Sequence, residues 1–217
     1  MSNTSKGPAD KGSKYWMQKI INTENLRQRL EKEIGIKKIM WVSPLEKEQY
    51  KEYRLNEKSI STKLGLDAAY IRSFWPTPGP QWDALGKADD GTIILIEAKS
   101  HPGEVKSSTK ATGNSLALIK ETLQVTHDGL CATIPFHDEI WLHTYYQTAN
   151  RLTFWYKLSI KYKAILVFLN IANDNSYGKT CEKEWETHMQ QVIKALLGDA
   201  KLPSDVKIIP YDVKEIS

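Results

Sequence analysis

The fold is decided by residues 81–99, which read QWDALGKADDGTIILIEAK. Two stretches with apolar cores, 81–88 and 92–99, flank the short acidic segment Asp89-Asp90-Gly91, whose glycine can adopt a positive φ. Three-residue hairpin loops close in this way, with a type I turn followed by a residue in the left-handed region. The stretch therefore predicts an antiparallel hairpin with a three-residue loop.

The register of this hairpin brings two acids together. A three-residue loop places Asp83 directly opposite Glu97, with Cβ atoms roughly 5 Å apart. Lys99 shares the face of Glu97, because side chains alternate along a strand. A two-residue Asp90-Gly91 turn would instead send the two acids to different faces. Facing like charges destabilise a hairpin unless something holds them, and a divalent cation with oxygen ligands is the simplest such group.

Helical and extended patterns surround the hairpin. We expect helices at 15–21, 23–34, 44–55, 60–74, 115–126, 139–158 and 181–197, and further strands at 163–172 and 206–213. Gly35 is placed to end the second helix, and Gly65 with Asp67 divides the fourth. The helix at 44–55 is predicted from a capping box at 43–46. Residues 101–113 form a mobile basic loop. This order predicts one α/β domain with a mixed central sheet flanked by helices.

Composition limits the class of protein. The chain has 217 residues, of which 41% are hydrophobic and 26% charged, and these values exclude a largely disordered chain, a collagen-like repeat and a coiled coil. No apolar run approaches the roughly 20 residues of a membrane span. Cys131 and Cys181 lie far apart, without the spacing of a zinc site or a disulfide framework. The net charge of +4 permits a polyanionic partner without requiring one.

The N-terminal stretch, residues 1–14, is polar and contains glycine and proline. It lacks the apolar core of a signal peptide, so we expect a flexible tail on a cytoplasmic protein. The domain itself is then 15–217. The sequence leaves formation of a homo-oligomer open.

The hairpin resembles the PD-(D/E)XK nuclease superfamily, which includes restriction endonucleases, Holliday-junction resolvases and RecB-type nucleases. Asp83 matches the motif's aspartate, Glu97 its second acid and Lys99 its lysine, while Trp82 stands where the motif's name has proline. Within the superfamily, residues 74–85 and 97–101 also resemble a group of uncharacterised bacterial proteins. The resemblance implies a restriction-endonuclease-like fold and hydrolysis of phosphodiester bonds, with DNA as the expected nucleic acid.

The same resemblance implies a metal site and the role of each motif residue. Asp83, Glu97 and the backbone carbonyl of Ala98 would bind Mg²⁺, or alternatively Mn²⁺, while phosphate oxygens and waters complete the octahedron. Lys99 would orient or deprotonate the attacking water and offset charge that develops on the phosphate. Many members of the superfamily add an acid from an early helix. Glu52 lies on the apolar stripe of the helix predicted at 44–55.

Alternatives remain open for the residues outside the motif. Glu57 is the alternative to Glu52, and either can be an ordinary surface glutamate. His101 follows the motif and is the histidine expected nearest to the site. Nucleic-acid contacts are expected from Lys106 and Lys110, which lie directly beyond the catalytic strand.

Two residues of the helix at 139–158 are further candidates for nucleic-acid binding. Gln147 and Arg151 lie four residues apart and share one polar stripe, which is equally consistent with a solvated face. RecB-like nucleases carry a Gln followed by a Tyr four residues later on a helix after the motif. Gln147 matches that Gln, and Arg151 replaces the Tyr with a side chain that can contact phosphate bidentately.

Two rival functions stay open. The protein could bind nucleic acid without cutting it, but the presence of Asp83, Glu97 and Lys99 argues against a site that has lost its catalytic activity. Alternatively, Glu97 and Lys99 form only an ion pair in a structural or assembly protein. A divalent ion bound between Asp83 and Glu97 would exclude that second rival.

Overall fold

The computed structural model describes residues 7–176 and 178–216. Its helices are α1 (Gly12–Asn22), α2 (Glu24–Ile34), α3 (Lys58–Leu64), α4 (Ala68–Phe74), α5 (Gly113–Gly129), α6 (Tyr146–Ser159) and α7 (Glu182–Leu197). Its strands are β1 (Ile39–Ser43), β2 (Tyr53–Arg54), β3 (Gln81–Trp82), β4 (Ala84–Ala88), β5 (Ile93–Lys99), β6 (Ala164–Ala172) and β7 (Val206–Asp212). None of the helices in these described ranges has the length and apolar character needed to cross a lipid bilayer.

A mixed five-stranded sheet forms the centre of the molecule, in the order β1-β4-β5-β6-β7. Strands β1, β4 and β5 pair antiparallel, whereas β5, β6 and β7 pair parallel. Helices cover both faces of the sheet, so the predicted α/β architecture with a mixed sheet and flanking helices is confirmed. Strands β2 and β3 form a separate two-stranded ribbon.

Strand β6 shows why the sheet lies in the middle. All nine of its residues are buried, as expected for a parallel strand that is covered on both faces. Leu166 and Phe168 pack with the core that contains α3 to α7, while Val167 and Leu169 pack with α1 and α2. The continuous apolar run in the sequence thus reflects two separate cores on the two sides of one strand.

The predicted register of the hairpin is confirmed. Ala84 pairs with Ile96 and Leu85 with Leu95, as a three-residue loop requires. Gly91 closes the loop at φ 89° and donates its N–H to the carbonyl of Ala88. The left-handed conformation that the turn needs is therefore supplied by its glycine.

The prediction of a helix at 44–55 is wrong. Ser43 belongs to β1, and only a short 3₁₀ turn, Glu46–Glu48, follows before β2. The side chain of Asn22 on α1 satisfies the backbone hydrogen-bonding groups at the start of this turn. It accepts a hydrogen bond from the Glu46 N–H and donates one to the carbonyl of Pro44. Pairing of β2 with β3 then holds the following residues extended. A contact from α1 therefore replaces the capping box inferred from residues 43–46.

Several other boundaries differ from the sequence-based expectation. Helix α1 begins at Gly12, inside the predicted tail, and residues 1–6 of that tail lie outside the described ones. The helix expected at 139–158 is divided into a π-helical segment, Glu139–Thr144, and α6. Division of the helix at 60–74 between Gly65 and Asp67 is confirmed, with Gly65 at φ 75°.

The basic loop is anchored to the protein at several points. Val105 is buried, and backbone hydrogen bonds join Ser107 to Thr144 and Thr109 to Leu142, both at 2.8 Å. These contacts join the loop to the π-helical segment, a packing that the sequence did not predict. One buried valine and the backbone supply these anchors, and neither gives a clear signal in the sequence of the segment.

Candidate active site

The motif residues lie where β5 ends. Glu97, Ala98 and Lys99 are its last three residues, and Asp83 occupies the break between β3 and β4, next to them across the hairpin. The Asp83 Oδ2 atom accepts a hydrogen bond from the Ala98 N–H at 2.7 Å. This bond fixes the aspartate against the backbone of the strand that carries the other two residues.

Glu97 is buried between two cations. Its side chain is 3% exposed, its Oε1 atom accepts a hydrogen bond from Lys99 Nζ at 2.6 Å, and its Oε2 atom accepts one from Arg151 Nε at 2.6 Å. Burial acts to raise the pKa of Glu97, but the charges of Arg151 and Lys99 outweigh it and hold the pKa below its ordinary value. Glu97 is therefore ionised at neutral pH.

Arg151 joins three parts of the site. Beyond Glu97, its guanidinium donates to the carbonyl of Gln81 at 2.7 Å and to Asn150 Oδ1 at 2.9 Å, and it lies 4.6 Å from the ring centre of Trp82. Its side chain is only 4% exposed. The sequence suggested that this arginine meets phosphate, but the structure buries it behind Glu97. Its contact with the site is an orienting one.

Lys99 lies between Glu97 and a second helical side chain. Its Nζ atom donates to Gln147 Oε1 at 3.0 Å, and its side chain keeps 14% of its surface exposed. Burial acts to lower the pKa of Lys99, but the carboxylates of Glu97 and Asp83 raise it above its ordinary value. The amine therefore stays charged, and the polar stripe of α6 faces the site through both Gln147 and Arg151.

The environment of Asp83 differs from that of Glu97, because its pKa is raised and not lowered. Burial and then the charge of Glu97 raise its pKa to about 8, with a further contribution from Glu52, while Lys99 and the Ala98 N–H act in the opposite direction. In the metal-free protein Asp83 is thus mostly protonated at pH 7. A buried acid beside an ionised one forms a place where an added positive charge is favoured.

The donor set fits a hard divalent cation. Mg²⁺ prefers oxygen ligands, and proteins hold it through one or two carboxylates while waters and phosphate oxygens complete the octahedron. Asp83, Glu97 and the carbonyl of Ala98 supply such oxygens. No three His, Cys, Asp or Glu side chains in residues 7–176 and 178–216 come together as a metal-binding group. A cation here would accordingly rest on few protein ligands.

The structure separates the two alternative acids. Burial raises the pKa of Glu52, the charge of Lys14 lowers it, and that of Glu97 raises it, so this carboxylate lies within electrostatic range of the motif. It comes from the segment before β2 and not from a helix. Glu57 instead accepts a hydrogen bond from the Arg54 N–H and pairs with Lys51, away from the motif.

Asn170 is a polar neighbour of Lys99 that the sequence analysis missed. It lies on β6 in register with Lys99, is 1% exposed, and its Nδ2 atom has no hydrogen-bond partner in the structure. A small cavity is lined by Asn170 together with Glu97, Lys99 and Gln147. The available signal was a single amide within the otherwise apolar run of residues 164–172.

The remaining candidates lie on the two sides of the motif. Lys110 lines a cleft of about 470 Å³ that is formed with residues 75–80 and Tyr146. Lys106 lies on the other side, where its charge lowers the pKa of His188, although burial is the larger cause of that shift. His101 accepts a hydrogen bond from the Gly103 N–H through Nδ1 at 3.0 Å.

Comparison with known proteins finds no matching family model, no matching curated protein and no matching solved structure. What the site can do is therefore argued from its own residues.

Proposed function

We propose that this chain is a cytoplasmic, metal-dependent nuclease with a restriction-endonuclease-like fold that hydrolyses phosphodiester bonds in DNA. The observation that carries the proposal is the meeting of Asp83, Glu97 and Lys99 at the end of adjacent strands. Three groups in this arrangement combine oxygen ligands for a cation with a charged amine that can act on a phosphate. The resemblance of residues 81–99 to the PD-(D/E)XK motif supports the same conclusion.

Each residue has a chemical task in this proposal. Asp83, Glu97 and the carbonyl of Ala98 would hold Mg²⁺, which when bound activates a water and neutralises phosphate charge. Both carboxylate oxygens of Glu97 already accept hydrogen bonds, Oε1 from Lys99 and Oε2 from Arg151, so a cation would use their remaining lone pairs. Lys99 orients the attacking water and donates to the phosphate oxygens as negative charge builds on them.

Two side chains of α6 act as positioning residues. Gln147 accepts a hydrogen bond from Lys99 and so fixes the direction of the amine. Arg151 holds Glu97 in one rotamer through a short, buried, charge-assisted hydrogen bond. Pre-organised groups of this kind save the cost of orienting the site during the reaction.

One observation favours a second candidate function. Glu97 is already neutralised by Lys99 and Arg151, as in a buried structural ion pair. A protein that binds nucleic acid without cutting it, or an assembly protein, would need nothing more from these residues.

Cleavage assays on two variants separate these functions. The parent should cut at least one of linear, circular, single-stranded or branched DNA with Mg²⁺ or Mn²⁺, and no DNA with a chelator. Lys99→Ala keeps both acids, so it should bind DNA and Mg²⁺ nearly as the parent does while cutting on the order of 10²-fold more slowly. Asp83→Ala should lose cleavage and also bind Mg²⁺ more weakly.

The matched control is Lys163→Ala, which removes an exposed lysine at the opposite end of the sheet and should leave cleavage unchanged. A parent that binds DNA equally well with or without Lys99, and cuts no member of the panel, would establish the binding module instead. If neither DNA nor a divalent ion binds, the acid pair is structural.

A further inference from the structure

A cleft of about 540 Å³ opens beside the candidate active site. It is lined by His101 and Pro102, which follow the catalytic strand, by residues 179–181, and by the first turns of α7. The two sites are neighbours across α7, because Met189 lines the small cavity below Glu97 and Lys99 while the preceding residue, His188, lines the cleft. A ligand in the cleft would therefore lie next to a ligand at Lys99.

The charges around the cleft favour an anion. Lys179 and Lys183 line it, and Lys106 lies close enough for its charge to act on His188. The carboxylate in the cleft belongs to Glu184, and its Oε2 atom accepts a hydrogen bond from the Cys181 N–H at 2.7 Å. Positive charge therefore exceeds negative charge here.

His188 carries a second sign of an absent partner. Its Nε2 atom is buried and has no hydrogen-bond partner in the structure, although the ring contacts Trp185 edge-on. Burial is the largest cause that lowers the pKa of His188 below its ordinary value; the charges of Lys106 and His101 act in the same direction, and a backbone hydrogen bond with Pro102 acts against them. The ring therefore adds a polar atom to the cleft, while the lysines supply the positive charge that an anion would meet.

The wall of the cleft depends on a glycine. Gly178 has φ 120°, and a Cβ atom at that position would lie 3.0 Å from Cδ2 of His101. A side chain there would push the segment away from His101 and open the wall. The close approach of the two segments therefore depends on the absence of a side chain at position 178.

We propose that the cleft binds a backbone phosphate of the nucleic-acid strand that lies in the candidate active site, outside the phosphodiester bond that is cut. This inference rests on the proposed function, which supplies the nucleic-acid strand that would pass the cleft. Lys179 and Lys183 supply the counter-charge, and His188 supplies a polar contact at the base of the cleft.

The test is the salt dependence of duplex DNA binding in a chelator, where no cleavage occurs. Each phosphate that a lysine neutralises contributes about 0.9 to the slope of log K against log salt. The double variant Lys179→Ala, Lys183→Ala removes both lysines from this one phosphate and should therefore lower the slope by about 0.9 units. The control double variant Lys163→Ala, Lys201→Ala removes two exposed lysines from the opposite end of the sheet and should leave the slope unchanged.

The outcomes distinguish this inference from the nuclease function. A cutting parent whose slope is the same in the cleft variant refutes the cleft as a phosphate site and leaves the nuclease intact. An equal fall in both double variants also refutes it, because the lysines then act only through overall charge. A parent that cuts no DNA, but whose slope falls only in the cleft variant, retains the phosphate site and refutes the nuclease. Absence of any DNA binding refutes the cleft site.

Discussion

Replacing Asp83 with asparagine should stabilise the metal-free protein at alkaline pH. Asparagine can still accept the hydrogen bond from the Ala98 N–H, but it removes a carboxyl whose pKa the fold raises from 3.8 to about 8. A group with a raised pKa binds its proton more tightly in the folded state, so the parent loses stability as pH rises from about 4 to about 8. The variant has no such loss.

The size of the effect follows from the pKa. Each unit of difference between the folded and unfolded states corresponds to about 1.4 kcal/mol, so the whole rise sets an upper value on the order of 5 kcal/mol. Asp83 is partly exposed, and water near the carboxylate reduces this figure. We expect the stability advantage of Asp83→Asn over the parent to grow by about 2 kcal/mol between pH 5 and pH 9.

Urea unfolding in a chelator at pH 5, 7 and 9 measures this advantage directly. Asp205→Asn is the control, since it neutralises an exposed acid at the far end of the sheet and should show no such growth. Added Mg²⁺ should then stabilise the parent at pH 9 more than it stabilises Asp83→Asn. An advantage of Asp83→Asn that stays constant with pH would refute the argument that burial and the charge of Glu97 raise the pKa of Asp83.

Two further variants test the surroundings of the site. Arg151→Met leaves Glu97 buried without its strongest partner and should lower the free energy of unfolding, measured in urea, by about 3–5 kcal/mol. The control Lys157→Met, on the same helix, should change this free energy by less than about 1 kcal/mol. Similar losses in the two variants would contradict the orienting role of Arg151. Gly86→Ala directs a methyl group into Ile39 on the neighbouring strand and should lower the free energy of unfolding by about 1–3 kcal/mol. An unchanged thermal midpoint would instead show that β1 can move aside.

The parts of the fold that the sequence predicted are those set by nearby residues. The hairpin register depends on the turn that Gly91 closes, and β6 is recognisable because its burial on both faces requires an unbroken apolar run. The segment after β1 could not be predicted in the same way. Its conformation depends on Asn22, which is distant in sequence, and on the pairing of β2 with β3. Local capping preference was overridden by these contacts.

The same distinction applies to the candidate site. Asp83, Glu97 and Lys99 are close in sequence, so the length of the hairpin turn and the alternation of strand side chains were enough to bring them together. Helical spacing placed Gln147 and Arg151 on one stripe of the helix. It could not tell how deeply that stripe is buried, because burial depends on how α6 packs against the sheet. The structure places Arg151 at the buried end of that stripe, behind Glu97.

The long separation between Glu97 and Arg151 bears on how the chain folds. The hairpin of β4 and β5 is local and can form within microseconds, whereas the arginine lies 54 residues further along the chain and arrives only when α6 docks. Until then, Glu97 faces Asp83 with Lys99 as its cationic neighbour, so partly folded molecules carry a charge that the interior does not tolerate. Docking of α6 removes this penalty. The ion pair thereby favours complete assembly over compact intermediates in which that helix is misplaced.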